Sequence, residues 1–368
     1  MIVVKSIDDV KAFVYGGAFY GGGGGGWISE GLEVAKTVLN IAGEVKILEP
    51  HEIPDEYILV TVSAVGAPAA KERYLKPIHL VRAIQLLISN NVKIHGLIPS
   101  EVGAYNGVNG WFQSAILGIP VIDIPCNGRA HPTGIMGSMG LHRKKDYISR
   151  QAAVGGNPEK GMYVEIYVSA SLEKAAHIIR KAAEEAGGVV AVARNPVDAK
   201  YAKEYGAPNA LKKAFSVGKV IKKYIDENAF KEACYKAFEE AKGSIIGECL
   251  IEKTEIETSK GFDVGSIEIS CSGRKYLIKF LNEYIVLDKN STRLATFPDL
   301  IVLMNPETGL PITSAEIVEY KGKKVILGFV PRENLILGAG VRYPEAYDPL
   351  EKVLGVKIKD YIKDLFLG

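Results

Sequence analysis

Asp123, Cys126, Arg129 and His131 stand in one short stretch, Asp123-Ile124-Pro125-Cys126-Asn127-Gly128-Arg129-Ala130-His131-Pro132. Together they offer a carboxyl, a thiol, a planar cation and an imidazole. That mixture suits hydrolysis by addition and elimination, with a base for water, a clamp for an oxyanion or carbonyl, and an acid for the leaving group. Asp123 is the candidate base and Arg129 the candidate clamp. Cys126 is a candidate nucleophile if Arg129 or His131 lowers its pKa. The plainer account is a structural Asp123–Arg129 pair with Cys126 packed at a strand end. Zinc is a second chemistry, because Asp123, Cys126, His131 and the more distant His142 are donor types it accepts. No HExxH or CxxC spacing supports that reading.

Two other loops carry polar chemistry. Glu101 and Asn106 lie in Glu101-Val102-Gly103-Ala104-Tyr105-Asn106-Gly107, and Glu101 is an alternative base. Lys71-Glu72 follows the turn Gly66-Ala67-Pro68. Glu72 is a weaker catalytic candidate, since an ion pair or a helix cap explains it as well. Glycines run unbroken from Gly21 to Gly26, between Tyr20 and Trp27. So many glycines in order are costly in conformational entropy, which is acceptable where backbone must approach something closely. Gly22, Gly23, Gly24 and Gly25 are the candidate substrate cradle, feeding a helix over 29–42. A surface loop without a role is the other account. Neither a dinucleotide fingerprint nor a Walker loop is present.

The elements that must position these loops read as an α/β unit. Ser6 and Asp9 form a capping-box pattern before a short helix with Val10, Phe13 and Val14 on its apolar side. Strands are expected at 44–48, 57–62, 93–98 and 120–124, with helices at 77–88 and 111–117 between them. Strand and helix alternating at this spacing predict a largely parallel or mixed sheet, with the strand-end loops along one edge. On that arrangement the three polar loops converge on one cleft, and the glycine run closes a side of it. The stretch 134–156 is either a lid or a long irregular crossing. A strand at 162–168, a helix at 171–186, a strand at 189–193 and helices over 208–241, broken near Asn228, follow. Phe230, Cys234 and Phe238 recur along one helix face, which makes Cys234 a core thiol.

From 243 onward six short β-prone runs (244–251, 264–270, 276–280, 284–287, 300–303 and 324–330) alternate with turns, including Gly261-Phe262-Asp263, and predict a β-rich domain. Asn282, Glu283, Asp299 and Glu307 sit at its strand ends, as turn residues or as a second wall of the cleft. The expected organisation is an α/β domain over 1–168, a helical lead-in and β-rich domain over 169–355, and a helix over 356–368.

These loops resemble the family formerly called DUF917, now named for S-methyl-thiohydantoin desulfurase. The resemblance rests on Gly17 to Gly26, on Gly66-Ala67-Pro68 with Lys71-Glu72, on Glu101, Gly103 and Asn106, and on Asp123 with Gly128-Arg129-Ala130 and Pro132. Farther on it rests on Gly261-Phe262-Asp263-Val264-Gly265, Asn282-Glu283 and Pro298-Asp299-Leu300-Ile301. The family implies a hydrolase of C–N or C–S bonds in a small heterocycle of the hydantoin or S-methyl-thiohydantoin type. It also implies a hydantoinase-like partner, and the alternative is a non-catalytic binding protein or partner subunit. The sequence departs from the family at Pro125, where a second acid is common, and at Gly103-Ala104, where paired glycines are usual.

The totals bound the rest. With 45 basic and 43 acidic residues spread evenly, no nucleic-acid face is indicated. The four cysteines, Cys126, Cys234, Cys249 and Cys271, are too scattered to suggest a thiol metal motif or a disulfide framework. Neither a charged leader nor an apolar run of spanning length stands out, so a cytoplasmic protein without membrane contact is expected, with a homo-oligomer as the ordinary assembly.

Overall fold

The computed structural model describes residues 1–66, 70–259 and 262–367; Ala67, Pro68 and Gly261 of the expected turns lie outside the described residues. The first part of the chain runs β1 (Ile2–Val4), α1 (Ile7–Gly21), α2 (Ile28–Ala42), β2 (Val45–Leu48), β3 (Ile58–Gly66), α3 (Pro77–Ser89), β4 (Gly96–Pro99), α4 (Trp111–Leu117) and β5 (Val121–Ile122). It continues through β6 (Ser149–Gly155), β7 (Val164–Ala170), α5 (Leu172–Glu185) and β8 (Val189–Asp198). These strands form one sheet in the order β1-β2-β5-β4-β3-β8-β6-β7. β2, β5, β4 and β3 are parallel, and the remaining pairings are antiparallel, so the sheet is mixed.

The second part begins with α6 (Ala199–Tyr205), α7 (Ala210–Asp226) and α8 (Phe230–Glu240). Strands β9 (Ser244–Ser259), β10 (Phe262–Cys271), β11 (Arg274–Leu281), β12 (Glu283–Lys289), β13 (Thr292–Thr296), β14 (Leu300–Met304) and β15 (Lys324–Val330) follow, then α9 (Asp348–Leu354). They build an antiparallel sheet in the order β13-β12-β11-β10-β9-β15-β14.

The opening helix begins as its sequence dictates. The Ser6 hydroxyl accepts from the Asp9 amide at 3.0 Å, and the Asp9 carboxylate accepts from the Ser6 amide at 3.1 Å. It then runs well past the short helix expected, through Gly16 and Gly17 to Gly21. Glycine inside a helix costs roughly 1 kcal/mol relative to alanine. Here it permits a backbone-to-backbone crossing: a Cβ on Gly16 would meet the Ala214 carbonyl oxygen at 1.8 Å, and one on Gly218 would meet that of Ala12 at 1.6 Å. The α1–α7 contact therefore fixes where the glycine run leaves the helix.

Three expectations are corrected. The stretch 134–156 is an irregular crossing only to residue 148, with one 3-10 turn and with Met136, Met139 and Leu141 buried, and it then forms β6 inside the first sheet instead of a lid. The expected helix at 356–368 is two short 3-10 turns, Lys359–Tyr361 and Lys363–Leu365. Glu351 in α9 accepts from the amides of Ile358 and Lys359, so the chain turns there instead of winding on. Cys249 and Cys271, far apart in sequence, fall opposite one another in the β9–β10 pair and are joined as a disulfide. Cys234 is a buried core thiol, as its helix face implied. The break between α7 and α8 comes at Asn228, with φ of 56°.

Candidate functional site

The glycine run is bent by the residues that only glycine suits. Gly22, Gly23, Gly25 and Gly26 have φ of 52°, 95°, 78° and 87°, in the left-handed region where a side chain is strained. Its carbonyls make the ties to the rest of the protein. Gly22 accepts from the Tyr284 amide at 2.8 Å and Gly23 from the Ser314 amide at 2.9 Å, both in the second half of the chain. Gly25 accepts from the amides of Tyr105 and Asn106 at 3.0 and 3.1 Å. The loop is thus a rigid strap between the two sheets.

Beside it opens a cavity of about 220 Å³, walled by Gly23 to Gly26, Trp27, Tyr105, Glu101, Asn106, His131, Asn282, Glu283 and Ser314, among others. Glu30 and Arg73 line it too, joined by two hydrogen bonds of 2.8 and 3.2 Å.

Glu101 follows the end of β4 and is 5% exposed. Its Oε1 accepts from Asn106 Nδ2 at 2.5 Å and its Oε2 from the His131 amide at 3.0 Å. The His131 ring turns back onto the same carboxylate, with Nε2 3.3 Å from Oε2 and 3.4 Å from the Ser100 carbonyl. Burial lowers the pKa of His131, and Glu101 opposes that shift without overcoming it, so the ring is neutral at physiological pH. Both oxygens of Glu101 are thus held in place in the wall of the cavity.

Glu283, the first residue of β12, is the other carboxyl in the wall, at 3% exposed. It abuts the glycine strap: a Cβ on Gly24 would lie 2.1 Å from its Oε1. Arg129 lies buried nearby with two of its three nitrogens bonded to backbone, while Nη2 has no partner among the described residues. Its Nε donates to the Ala130 carbonyl at 3.0 Å, and its Nη1 to those of Pro298 and Asp299 at 3.2 and 2.6 Å. Its guanidinium also sits 4.4 Å above the Phe297 ring. Burial brings its pKa down to about 10, so it stays charged at neutral pH. Arg129 binds the second half of the chain to the first, beneath the cavity.

The residues expected to converge therefore separate into two groups. Glu101, Asn106 and His131 are together with Gly23, Gly24 and Gly25 at the cavity, while Gly22 is just behind, against Arg129. Asp123 is elsewhere. Its two oxygens accept from the amides of Leu211 and Lys212 at 2.8 and 3.0 Å, which caps the first turn of α7. Burial pushes its carboxyl up to about 7, against the pull of those two amides. Cys126 is fully buried, 3.2 Å from the Thr61 hydroxyl, and burial pushes its thiol up to about 11. That is the reverse of an activated nucleophile. Glu72 is at the surface, paired with Lys160.

The four zinc donors are likewise apart in their bonding. Asp123 caps α7, Cys126 meets Thr61, His131 meets Glu101, and His142 meets Glu345 at 3.0 Å. Among the described residues no group of three or more His, Cys, Asp or Glu is gathered to hold a metal ion. Also among the described residues, no helix is long and apolar enough to cross a membrane.

Asp123→Asn keeps one good acceptor for two cap amides. The expected result is a stability loss of about 1 kcal/mol with turnover within a few-fold of wild type, read by urea unfolding and steady-state rates. Loss of turnover in a fully folded variant would return Asp123 to the site.

Two family models match the sequence: the S-Me-THD-like N-terminal domain over residues 8–162 and the S-Me-THD-like C-terminal domain over residues 170–342. The chain belongs to the S-Me-THD-like family. No curated protein matches it. Among solved structures, the X-ray crystal structure of a protein from Chromobacterium violaceum is similar, with 20% identity and a TM-score of 0.71. The likeness covers 100% of this chain and 98% of that one, and it shows a common fold. In this S-Me-THD-like chain the cavity draws on both matched regions, with Glu101 and His131 from the first and Asn282, Glu283 and Ser314 from the second. The sequence left Glu283 open as a turn residue or as part of a second wall, and the structure has it in the wall. Its place opposite the glycine run depends on strand pairing that no local motif encodes.

Proposed function

We propose that the protein is a hydrolase of a small cyclic amide or ureide, of the hydantoin or S-methyl-thiohydantoin type, working in the cavity beside the glycine strap. The observation that carries this reading is Glu101: a buried carboxylate, oriented by Asn106 and His131, in the wall of a cavity sized for one small ring. In this role Glu101 takes a proton from water, and the neutral His131 keeps it aligned. The rigid strap and Tyr105 limit how the ring lies, and part of the rate comes from that alignment. Family membership supports the substrate class.

The test is turnover of a panel of hydantoins and S-methyl-thiohydantoins by the purified chain, followed by ring opening and by release of methanethiol. Turnover of at least one class, competed by a cavity-filling product, is expected. Tight binding of the same compounds without turnover would replace the enzyme with a small-molecule binding protein or a partner subunit of a hydantoinase-like enzyme.

A further inference from the structure

We propose that Glu283, supplied by the second half of the chain, is a catalytic residue that enters the reaction protonated and delivers its proton to the leaving group. This role rests on the hydrolase reading above. Three observations carry it. Glu283 lines the same cavity as Glu101, so a molecule held there would face both carboxyls. It is 3% exposed, and its Oε2 has no hydrogen-bond partner among the described residues. Arg129 acts on it only through its charge and forms no ion pair with it: Nε and Nη1 are bonded to backbone carbonyls, and Nη2, like Glu283 Oε2, has no partner among the described residues.

A buried carboxyl without a partner is stable in its neutral form, and a neutral carboxyl is a hydrogen-bond donor. Burial and the neighbouring Glu101 raise its pKa well above the usual carboxylate range, and Arg129 pulls the other way without prevailing. Two carboxyls in one site with environments that differ in this way divide into base and acid.

The reaction balances with these two groups. The water oxygen bonds to the ring carbon that bears the methylthio group, and the C=N electron pair moves to nitrogen. Glu101 takes a water proton and passes it to that nitrogen. The C–S bond then breaks with its pair on sulfur, and the Glu283 proton goes to sulfur, giving methanethiol. The proton of the remaining hydroxyl returns to Glu283 as the carbonyl forms.

Glu283→Gln preserves shape and tests the proton. With S-methyl substrate its kcat/KM is expected to fall roughly 100-fold or more. With an S-nitrophenyl analogue, whose thiolate leaves without a proton, the loss is expected to be only a few-fold. The wild type is expected to lose kcat/KM at alkaline pH as Glu283 ionises, and the variant is expected to lack that fall. A difference infrared spectrum at neutral pH, wild type minus variant, is expected to carry a carboxylic-acid carbonyl band. Equal losses on the two leaving groups, or an ionised-carboxylate band in its place, would overturn the acid role while leaving the hydrolase reading standing. A wild type silent on every substrate would overturn both.

Discussion

Glu101→Gln is expected to lower kcat/KM about 1,000-fold, the loss of a positioned general base. The substitution keeps the length and shape of the side chain but removes the proton acceptor. Asn106 Nδ2 can still donate to the remaining carbonyl oxygen, whereas the His131 amide meets an NH₂ group that also donates. One buried donor is thereby left without a partner, which costs about 1–3 kcal/mol of stability. The two effects are read separately, with rates measured at a temperature where circular dichroism shows the variant fully folded. A folded variant that retains wild-type kcat/KM would remove Glu101 from the chemistry.

The second large effect concerns the strap. At Gly25→Ala the new Cβ would stand 2.6 Å from the Gly103 Cα, in a backbone already at φ of 78°. No flexible side chain can yield there, because the two closest contacts, the Gly103 Cα and the Gly21 Cα at 3.3 Å, are main chain. Strain of the left-handed backbone together with displacement of the 101–106 loop is expected to cost about 3 kcal/mol. Glu101 and Asn106 ride on the displaced loop, so activity falls as well. Gly118→Ala is the control. It too has a positive φ, of 70°, but open space around the added carbon, and a cost of only about 1 kcal/mol is expected. Urea unfolding of the two variants separates close approach from backbone strain, and equal losses would argue that the strap is not tightly clamped.

The elements were more legible than the site, for physical reasons. Helices such as 111–117 and the break at Asn228 follow from local patterns: apolar spacing, a glycine before and after, an asparagine in the left-handed region. Ser6 and Asp9 carry their whole interaction within one turn. The β6 strand is less marked, because Ala152, Ala153 and Val154 are buried on both faces and carry no alternation. The helix expected near residue 360 had Ile358 and Ile362 at helical spacing, but each is buried just ahead of a separate short turn.

At the site, residue type pointed to Asp123 and Cys126, and neither lines the cavity. An aspartate at a strand end serves equally to cap a helix, and which it does depends on where α7, nearly ninety residues on, begins. Glu101, Asn106 and His131 lay in the loops expected to converge, so the strand-end rule located half of the wall. The other half comes from residues 282–283 and 313–315, brought there by the pairing of the second sheet and by the bonds from Tyr284 and Ser314 to the strap. Only the fold places those groups opposite the glycines.

A crystal structure of the Glu101→Gln variant soaked with an S-methyl-thiohydantoin that the wild type turns over tests directly whether the reaction takes place in the cavity. The ring is expected in the cavity beside Gly23 to Gly26, with its methylthio carbon facing position 101 and its sulfur toward Glu283. A ring bound instead against Asp123 and Cys126, or outside the cavity altogether, would contradict that placement.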